Sequence, residues 1–318
     1  MEPALLDEVP SLDLADYTSG NATKKEKFVA DLGSAFTNIG FVAIKNHGLS
    51  DDLRIKLYDA VQRFFALPEA QKKKYEHPEL FGQRGYISKG KETAKGFKVA
   101  DLKEFYHVGQ PEPVGGMAAN VFPDEFPEFR EYTTEVYKTF ENAGKILLKA
   151  IAVYLGLNED YFEDKVKNGD SILRALHYFP IENPDLVPDG AVRAAAHGDI
   201  NLITLLMGAS AEGLEVLRRD GQWIAITALP DQIVVNVGDM LDRLTNHKLK
   251  STIHRVVNPP REKMGTSRFS IPFFMHPRAD MDLTCLESCV SSDYPKMYVN
   301  MTAGEFLDER LRELGLKK

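Results

Sequence analysis

The hydrophobic period of the chain changes near Asp170, and that change limits the fold more than any other feature. Upstream, apolar residues recur at helical spacing; downstream, they fall in short runs divided by turn residues. Between Pro127 and Leu155, the residues Tyr132, Val136, Phe140, Ala143, Leu147 and Ile151 keep a 3.6-residue period, with proline at the start and Gly156 just past the end. A long amphipathic helix is predicted there. Phe28, Leu32, Phe36 and Ile39 mark an earlier helix that stops at Gly40, Phe41 to Ile44 reads as a strand, and Ser50 caps a helix carrying Leu53, Leu57, Val61 and Phe64 or Phe65. After Asp170 the strand candidates are Ile172 to Phe179, Leu202 to Met207, Leu214 to Leu217, Trp223 to Ile226, Ile233 to Val237, Thr252 to Val257 and Phe269 to Phe274. Strands at this spacing specify a sandwich or barrel, and Asp220-Gly221 is a hairpin turn. Thr302 to Leu314 returns to helical spacing. The first twenty residues read as an entry segment, and Phe81 to Gly96, with four glycines, as an exposed, mobile loop suited to a lid.

Composition narrows the class. Across 318 residues, 43% hydrophobic and 27% charged residues support a buried core and exclude a chain that is disordered or coiled coil throughout. Lys and Arg number 39 against 47 Asp and Glu, and the net charge of −8 opposes binding to nucleic acid or an anionic membrane surface. Lys72-Lys73-Lys74, lying between Glu69 and Glu76, reads as a solvated helix face. No run approaches the roughly eighteen apolar residues of a membrane span, and the acidic stretch Met1 to Ser19 does not resemble a signal peptide. Cys285 and Cys289 make neither a disulfide framework nor a plausible zinc site. These features predict a soluble cytoplasmic protein with reduced thiols, without an evident obligate protein partner.

Histidine is scarce, eight in all, so placement matters. His47, His77, His107, His177, His247 and His276 read as hydrogen-bonded structural residues. His197-Gly198-Asp199 puts two potential ligands at i and i+2, and His254 follows 55 residues after Asp199 on a predicted strand. Two imidazoles and one carboxylate suit non-haem Fe(II), because they leave three octahedral positions open, whereas a structural zinc site closes all four of its own. Arg268 and Ser270 can share one side of a later strand, where a guanidinium fork and a hydroxyl grip a carboxylate. Arg174 and Lys89 are further cations in reach of an anionic substrate, but fit surface or supporting positions better.

Several motifs appear in order along the chain: Gly40-Phe41-Val42-Ala43-Ile44-Lys45-Asn46-His47-Gly48, Phe64-Phe65-Ala66-Leu67-Pro68, Arg84-Gly85-Tyr86, Asp101-Leu102-Lys103-Glu104-Phe105, His197-Gly198-Asp199, Asn236-Val237-Gly238-Asp239, Ser251-Thr252-Ile253-His254-Arg255-Val256 and Arg268-Phe269-Ser270. On these the chain resembles the isopenicillin N synthase-like Fe(II)- and 2-oxoglutarate-dependent dioxygenases over nearly its whole length. The resemblance implies a mainly β fold with surrounding helices, built on a double-stranded β-helix (a jelly roll, cupin-like) core. It divides the chain into an N-terminal dioxygenase region at 1–125, a long helical segment at 126–168, the jelly-roll core at 169–290 and a C-terminal helical segment at 291–318. It implies iron ligands at His197, Asp199 and His254, and 2-oxoglutarate contacts at Arg268, Ser270 and Tyr178, the last chosen over its neighbour Phe179. Fe(II), 2-oxoglutarate and dioxygen are the implied cofactor and co-substrates, with ascorbate as an admissible reductant. The implied reaction couples decarboxylation of 2-oxoglutarate to succinate with hydroxylation, desaturation or cyclisation of a small molecule.

Two other readings stay open on the residues: an Fe(II) oxidase of the isopenicillin N synthase type that needs no 2-oxoglutarate, and a non-catalytic metal-containing ligand-binding protein. Three departures stand out. Gly198 replaces the usual Thr or Glu, and a side chain there is expected to point away from the metal. His247 replaces the glycine of Thr-Asn-Gly and reads as a surface turn residue. Leu311 to Lys318 lack the tail glutamine of isopenicillin N synthase. Phe81 to Gly96, Phe274 and the C-terminal helix are the candidates for covering the site.

Overall fold

The computed structural model describes residues 6, 8–91, 103–183, 192–208, 213–226, 229 and 231–313. In chain order these form β1 (Ser11–Asp13), α1 (Leu14–Thr18), α2 (Ala22–Asn38), β2 (Phe41–Lys45), α3 (Asp51–Phe65), α4 (Glu69–Lys72), β3 (Gly85–Ile87), β4 (Lys103–Val108) and α5 (Pro127–Tyr154). There follow α6 (Glu163–Val166), β5 (Ile172–Tyr178), β6 (Ala194–His197), β7 (Ile203–Met207), β8 (Leu214–Leu217), β9 (Trp223–Ala225), β10 (Ile233–Val237), α7 (Asp239–Leu244), β11 (His254–Val256), β12 (Arg268–Met275) and α8 (Ala303–Glu313).

Helix ends follow local chemistry. The Asn21 side chain accepts from Lys24 N–H at 3.1 Å to start α2, and Ser50 accepts from Leu53 N–H at 3.2 Å to start α3. At the end of α2, the N–H groups of Ile39 and Gly40 both return to the Ala35 carbonyl, and Gly40 takes φ 74°. A Cβ at Gly40 would also lie 2.3 Å from the Lys250 carbonyl oxygen, so turn and close approach both require glycine. Thr302 and Glu305 cap α8 reciprocally: Thr302 Oγ1 accepts from Glu305 N–H at 3.2 Å, and Glu305 accepts from Thr302 N–H at 2.8 Å.

The strands build two sheets, one of eight strands in the order β1-β2-β10-β7-β12-β5-β4-β3 and one of four in the order β6-β11-β8-β9. Alternation sorts the large sheet's side chains. Leu173 and Ala175 of β5, Val235 of β10 and Ile271 and Phe273 of β12 join Phe36, Phe64, Phe140 and Leu147 of α2, α3 and α5 in the main core. The opposite face turns Ile87, Phe105, Leu176 and Tyr178 toward Ala194 and Val256 of the small sheet, and Phe41 and Val234 toward Val216. Two sheets packed face to face, with helices on one outer side, form the expected jelly-roll core. Strands from the N-terminal region sit in the same sheet as those of the second half, so the core is shared. The Asp220-Gly221 hairpin joins β8 to β9 in the register Leu217↔Trp223.

Three expectations change. The entry segment is structured: β1 pairs in parallel with β2, and the Asp13 carboxylate caps α1 by accepting from Ala15 N–H at 2.9 Å. Within Phe81 to Gly96, Gly85–Ile87 is a buried strand paired with β4, not an exposed loop, while 92–96 lie outside the described residues. The buried Arg84 at its start donates to the Gln83 carbonyl at 2.7 Å and to Asp170 at 2.6 Å. Lys72 is not solvated either. It is 6% exposed and donates at 2.6 Å to Glu104, which is 1% exposed.

Glu104 also accepts from the Tyr86 hydroxyl at 2.5 Å and lies 2.7 Å from His177 Nδ1, while His177 Nε2 meets Ser267 Oγ at 2.9 Å. Burial works against this carboxylate's charge, yet His177, Lys72 and Tyr86 together hold it below the usual glutamate range. The cluster ties β3, β4 and β5 to the start of β12. Replacing Glu104 with Ala strands the Lys72 charge, and urea unfolding should show a loss of about 3–5 kcal/mol. The double change Lys72→Met with Glu104→Leu should recover most of that loss. A loss within measurement error for Glu104→Ala would contradict this account.

Candidate metal centre

His197 closes β6, His254 opens β11, and the two residues face each other in the antiparallel register of the small sheet. Their ring centroids are 4.5 Å apart. Both Nδ1 atoms are used locally: that of His197 donates to the Ala195 carbonyl at 2.7 Å and that of His254 to the Thr252 carbonyl at 3.2 Å. Each Nε2 therefore carries the lone pair. The two Nε2 atoms lie 4.0 and 3.7 Å from Asp199 Oδ1. Asp199 itself lies just past β6, where its carbonyl accepts from Asp239 N–H at 2.7 Å.

The other carboxylate oxygen is committed. Asp199 Oδ2 accepts from Thr204 Oγ1 on β7 at 2.6 Å and from Asn236 Nδ2 on β10 at 2.8 Å. Oδ1 is left facing the imidazoles, and the ligand atoms of the three residues fall within 4.8 Å of one another. Two neutral nitrogens and one carboxylate oxygen, braced from behind, fit a divalent iron that keeps positions open. Among the described residues, His197, Asp199 and His254 are the one group of His, Cys, Asp or Glu side chains placed to hold a metal ion.

Charge states favour this use. Desolvation, then the neighbouring His254, pushes His197 down to about 4, although its side chain is 45% exposed at the site. Burial raises the Asp199 pKa, but His254, His197, Asn236 and Thr204 outweigh it and hold the carboxyl below its ordinary range. At neutral pH His197 is therefore neutral and Asp199 ionised without help from a metal.

The second constellation lies on the inner face of the large sheet. Arg268, 1% exposed, is the register partner of Tyr178, and its guanidinium carbon lies 5.2 Å from the Tyr178 ring centre. Ser270 is buried two residues along the same face. Tyr178 shares the inner face with Leu176, which packs with it, whereas Phe179 lies beside His177. Phe274 also points inward, as the register partner of Thr204. Arg174 lies over Phe105 and Phe274 and donates through Nε to His107 Nε2 at 2.6 Å. Lys89 sits 5.2 Å above the Phe179 ring. Of the proposed covering elements, Phe274 is brought beside Thr204, whereas α8 buries Ala303 and Phe306 and sets Phe306 beside Arg243.

The departures have structural explanations. A Cβ at Gly198 would lie 2.9 Å from Asp239 Oδ1 and 3.0 Å from Ser251 Oγ, so it points toward that pair. His247 occupies the left-handed region at φ 68°, where glycine is easiest, and its Nδ1 lies 2.9 Å from an Asp242 oxygen. Thr204 and Asn236 escaped functional assignment in the sequence. The available signal was a polar residue at an inward position of an otherwise apolar strand.

Comparison with known proteins agrees with this geometry. Residues 9–128 match the family model described as the non-haem dioxygenase in morphine synthesis N-terminal region, and 169–277 match that of the 2OG-Fe(II) oxygenase superfamily. A proline hydroxylase, buaE of Petromyces alliaceus, is 33% identical over 96% of this chain and 98% of its own. The 2-oxoglutarate-Fe(II) type oxidoreductase hxnY of Emericella nidulans is 30% identical over 94% of this chain and 88% of its own. Among solved structures, a 2OG-Fe(II) oxygenase family protein from Caulobacter crescentus is 43% identical with a TM-score of 0.86, covering 97% of this chain and 99% of that one. A full-length Neurospora crassa protein, solved in complex with alpha-KG and thymine, is 29% identical with a TM-score of 0.87, covering 98% of both chains.

His276, also buried, is pushed down to about 4 by desolvation, partly offset by Asp170 and Asp199. Folded values near 4 for His197 and His276, against 6.5 as their ordinary value, mean that the unfolded chain binds more protons in that interval. Metal-free protein should keep this contribution above pH 6.5 and lose it as pH falls toward 4. Denaturant melts across this range should show the decline, and His276→Gln should flatten it; a flat profile for the unsubstituted protein would contradict the assignment.

Proposed function

We propose, from the premise that the chain belongs to the isopenicillin N synthase-like family of Fe(II)- and 2-oxoglutarate-dependent dioxygenases, that His197, Asp199 and His254 hold its iron, that Arg268 and Ser270 hold the distal carboxylate of 2-oxoglutarate and that Tyr178 contacts the same co-substrate. The chain is a 2-oxoglutarate-dependent Fe(II) oxygenase, coupling decarboxylation of 2-oxoglutarate to succinate with hydroxylation, desaturation or cyclisation of its substrate. Iron with 2-oxoglutarate and dioxygen supplies the oxidising power, which is the cofactor's own chemistry. The observation that carries the residue roles is the committed Asp199 Oδ2, which leaves one oxygen and two imidazole nitrogens converging.

The protein's part is placement and exclusion. Arg268 neutralises a carboxylate in a nearly dry setting, where a charge-assisted pair is stronger than in water, and Ser270 adds a hydroxyl donor. The Phe41 ring packs edge-on at 5.5 Å against His254 and shields it from solvent. Phe105, Leu176 and Val256 line the inner face with apolar surface, which keeps water from the oxidising centre.

The substrate is a small molecule on this reading, as the name of the proline hydroxylase and the thymine bound by the Neurospora crassa protein indicate for those relatives. The net charge of −8 weighs against nucleic acid or a membrane surface as partner. Among the described residues no helix is long and apolar enough to cross a membrane. Free Cys285 and Cys289 support a cytoplasmic setting. The segments 1–125, 126–168, 169–290 and 291–318 work as one unit around it.

Replacing His197, Asp199 or His254 with Ala should abolish stoichiometric Fe(II) binding, read by metal analysis, with the fold retained by circular dichroism. Arg268→Ala should raise the KM for 2-oxoglutarate by ~30-fold or more, the equivalent of about 2 kcal/mol for a lost buried charge contact. Succinate formation at wild-type KM in that variant would contradict the anchor.

A further inference from the structure

Arg193 stands immediately before β6, four residues ahead of His197, and only 4% of it is exposed. One of its N–H groups is used: Nη2 donates to the Thr266 carbonyl at 2.7 Å, just upstream of Arg268. Among the described residues, its Nε and Nη1 are buried with no hydrogen-bond partner. Ala194, the next residue, packs in one cluster with Tyr178 and Leu176. The bond to Thr266 and the electrostatic influence of Arg268 and Tyr178 on Arg193 set it near the Arg268 and Tyr178 pair. Desolvation and then the like charge of Arg268 lower its pKa, with Tyr178 acting the other way, and no carboxylate of the described residues is among the groups acting on it.

A buried guanidinium with two unpartnered nitrogens, bearing three N–H groups, and another guanidinium close by is costly in isolation. A purely structural role explains it poorly, since one hydrogen bond to a carbonyl does not offset that cost. An arriving anion does, by supplying both the missing acceptors and the missing charge. The three residues that follow it, Ala194, Ala195 and Ala196, carry only methyl side chains.

We propose that Arg193 is a second anion-binding guanidinium of the co-substrate pocket, directed with Arg268 and Ser270 at the distal carboxylate of 2-oxoglutarate. This rests on the reading of Arg268, Ser270 and Tyr178 as the co-substrate anchor. A carboxylate has two oxygens and about four lone-pair positions, enough to receive donors from both arginines. Two cations facing one carboxylate make the pocket selective for a 2-oxo acid that carries a second carboxylate.

The test is anaerobic calorimetric binding to Fe(II)-loaded protein, with 2-oxoglutarate and with 2-oxopentanoate, an analogue of the same length without the distal carboxylate. Arg193→Met should weaken 2-oxoglutarate binding by about tenfold or more, roughly 1.4 kcal/mol. It should leave 2-oxopentanoate and Fe(II) binding unchanged. Its melting temperature without ligand should equal or exceed that of the parent, while the rise on adding 2-oxoglutarate should shrink. Arg193→Lys, which keeps the charge, should bind 2-oxoglutarate more tightly than Arg193→Met and serves as the test if the Met variant does not fold. Unchanged 2-oxoglutarate binding in Arg193→Met, or equal losses for both 2-oxo acids, overturns the proposal, as does Arg193→Lys behaving like the parent toward 2-oxopentanoate but no differently from Arg193→Met toward 2-oxoglutarate. If Arg268→Ala weakens 2-oxoglutarate binding and Arg193→Met does not, this inference alone fails. If Arg268→Ala also has no effect, the anchor itself is wrong.

Discussion

The hydrogen bonds from Thr204 and Asn236 to Asp199 Oδ2 set the geometry on which the rest of the site depends. A buried carboxylate without donors is strongly disfavoured, and these two come from adjacent strands of the large sheet. They fix Asp199 so that Oδ1 confronts two imidazoles carried by the small sheet. The candidate metal position is thus defined by both sheets at once. A shift of either sheet relative to the other would open the ligand set, and the sandwich packing of Phe41, Val216 and Val234 beside it resists that shift.

Strand parity divides the remaining labour. On β12, Arg268, Ser270 and Phe274 face the interior of the sandwich, while Phe269 faces outward and stacks on His177 at 4.8 Å with an interplanar angle of 10°. His177 is held in turn by Glu104 and Ser267. The edge that carries Arg268 and Ser270 is therefore fixed from behind by a buried ionic cluster. The cluster reaches from Lys72, just after α3, through Glu104 on β4, so the N-terminal region positions a residue of the second half.

Much of this was legible in the sequence, for identifiable reasons. The long helix at Pro127–Tyr154 spans enough turns for its period to stand out, and His197, Asp199 and His254 announce themselves by residue type and spacing. Three-residue strands such as Ser11–Asp13 and Gly85–Ile87 carry less than two periods of alternation, so pairing partners alone define them. Lys72 misled because its burial depends on Glu104, 32 positions away in the chain. Thr204 and Asn236 share that limitation: each meets Asp199 through strand neighbours that no local pattern predicts. The family resemblance supplied the jelly roll and the co-substrate; the register of β5 with β12 sets Tyr178, not Phe179, opposite Arg268.

The most direct test of the central claim is an anaerobic absorption titration of Fe(II)-loaded protein with 2-oxoglutarate, following the charge-transfer band of a 2-oxo acid chelated to ferrous iron. The account predicts a saturable band with one equivalent of each component, lost in Asp199→Ala and requiring much higher 2-oxoglutarate in Arg268→Ala. No band in the unsubstituted protein, or a band that survives in Asp199→Ala, would contradict it.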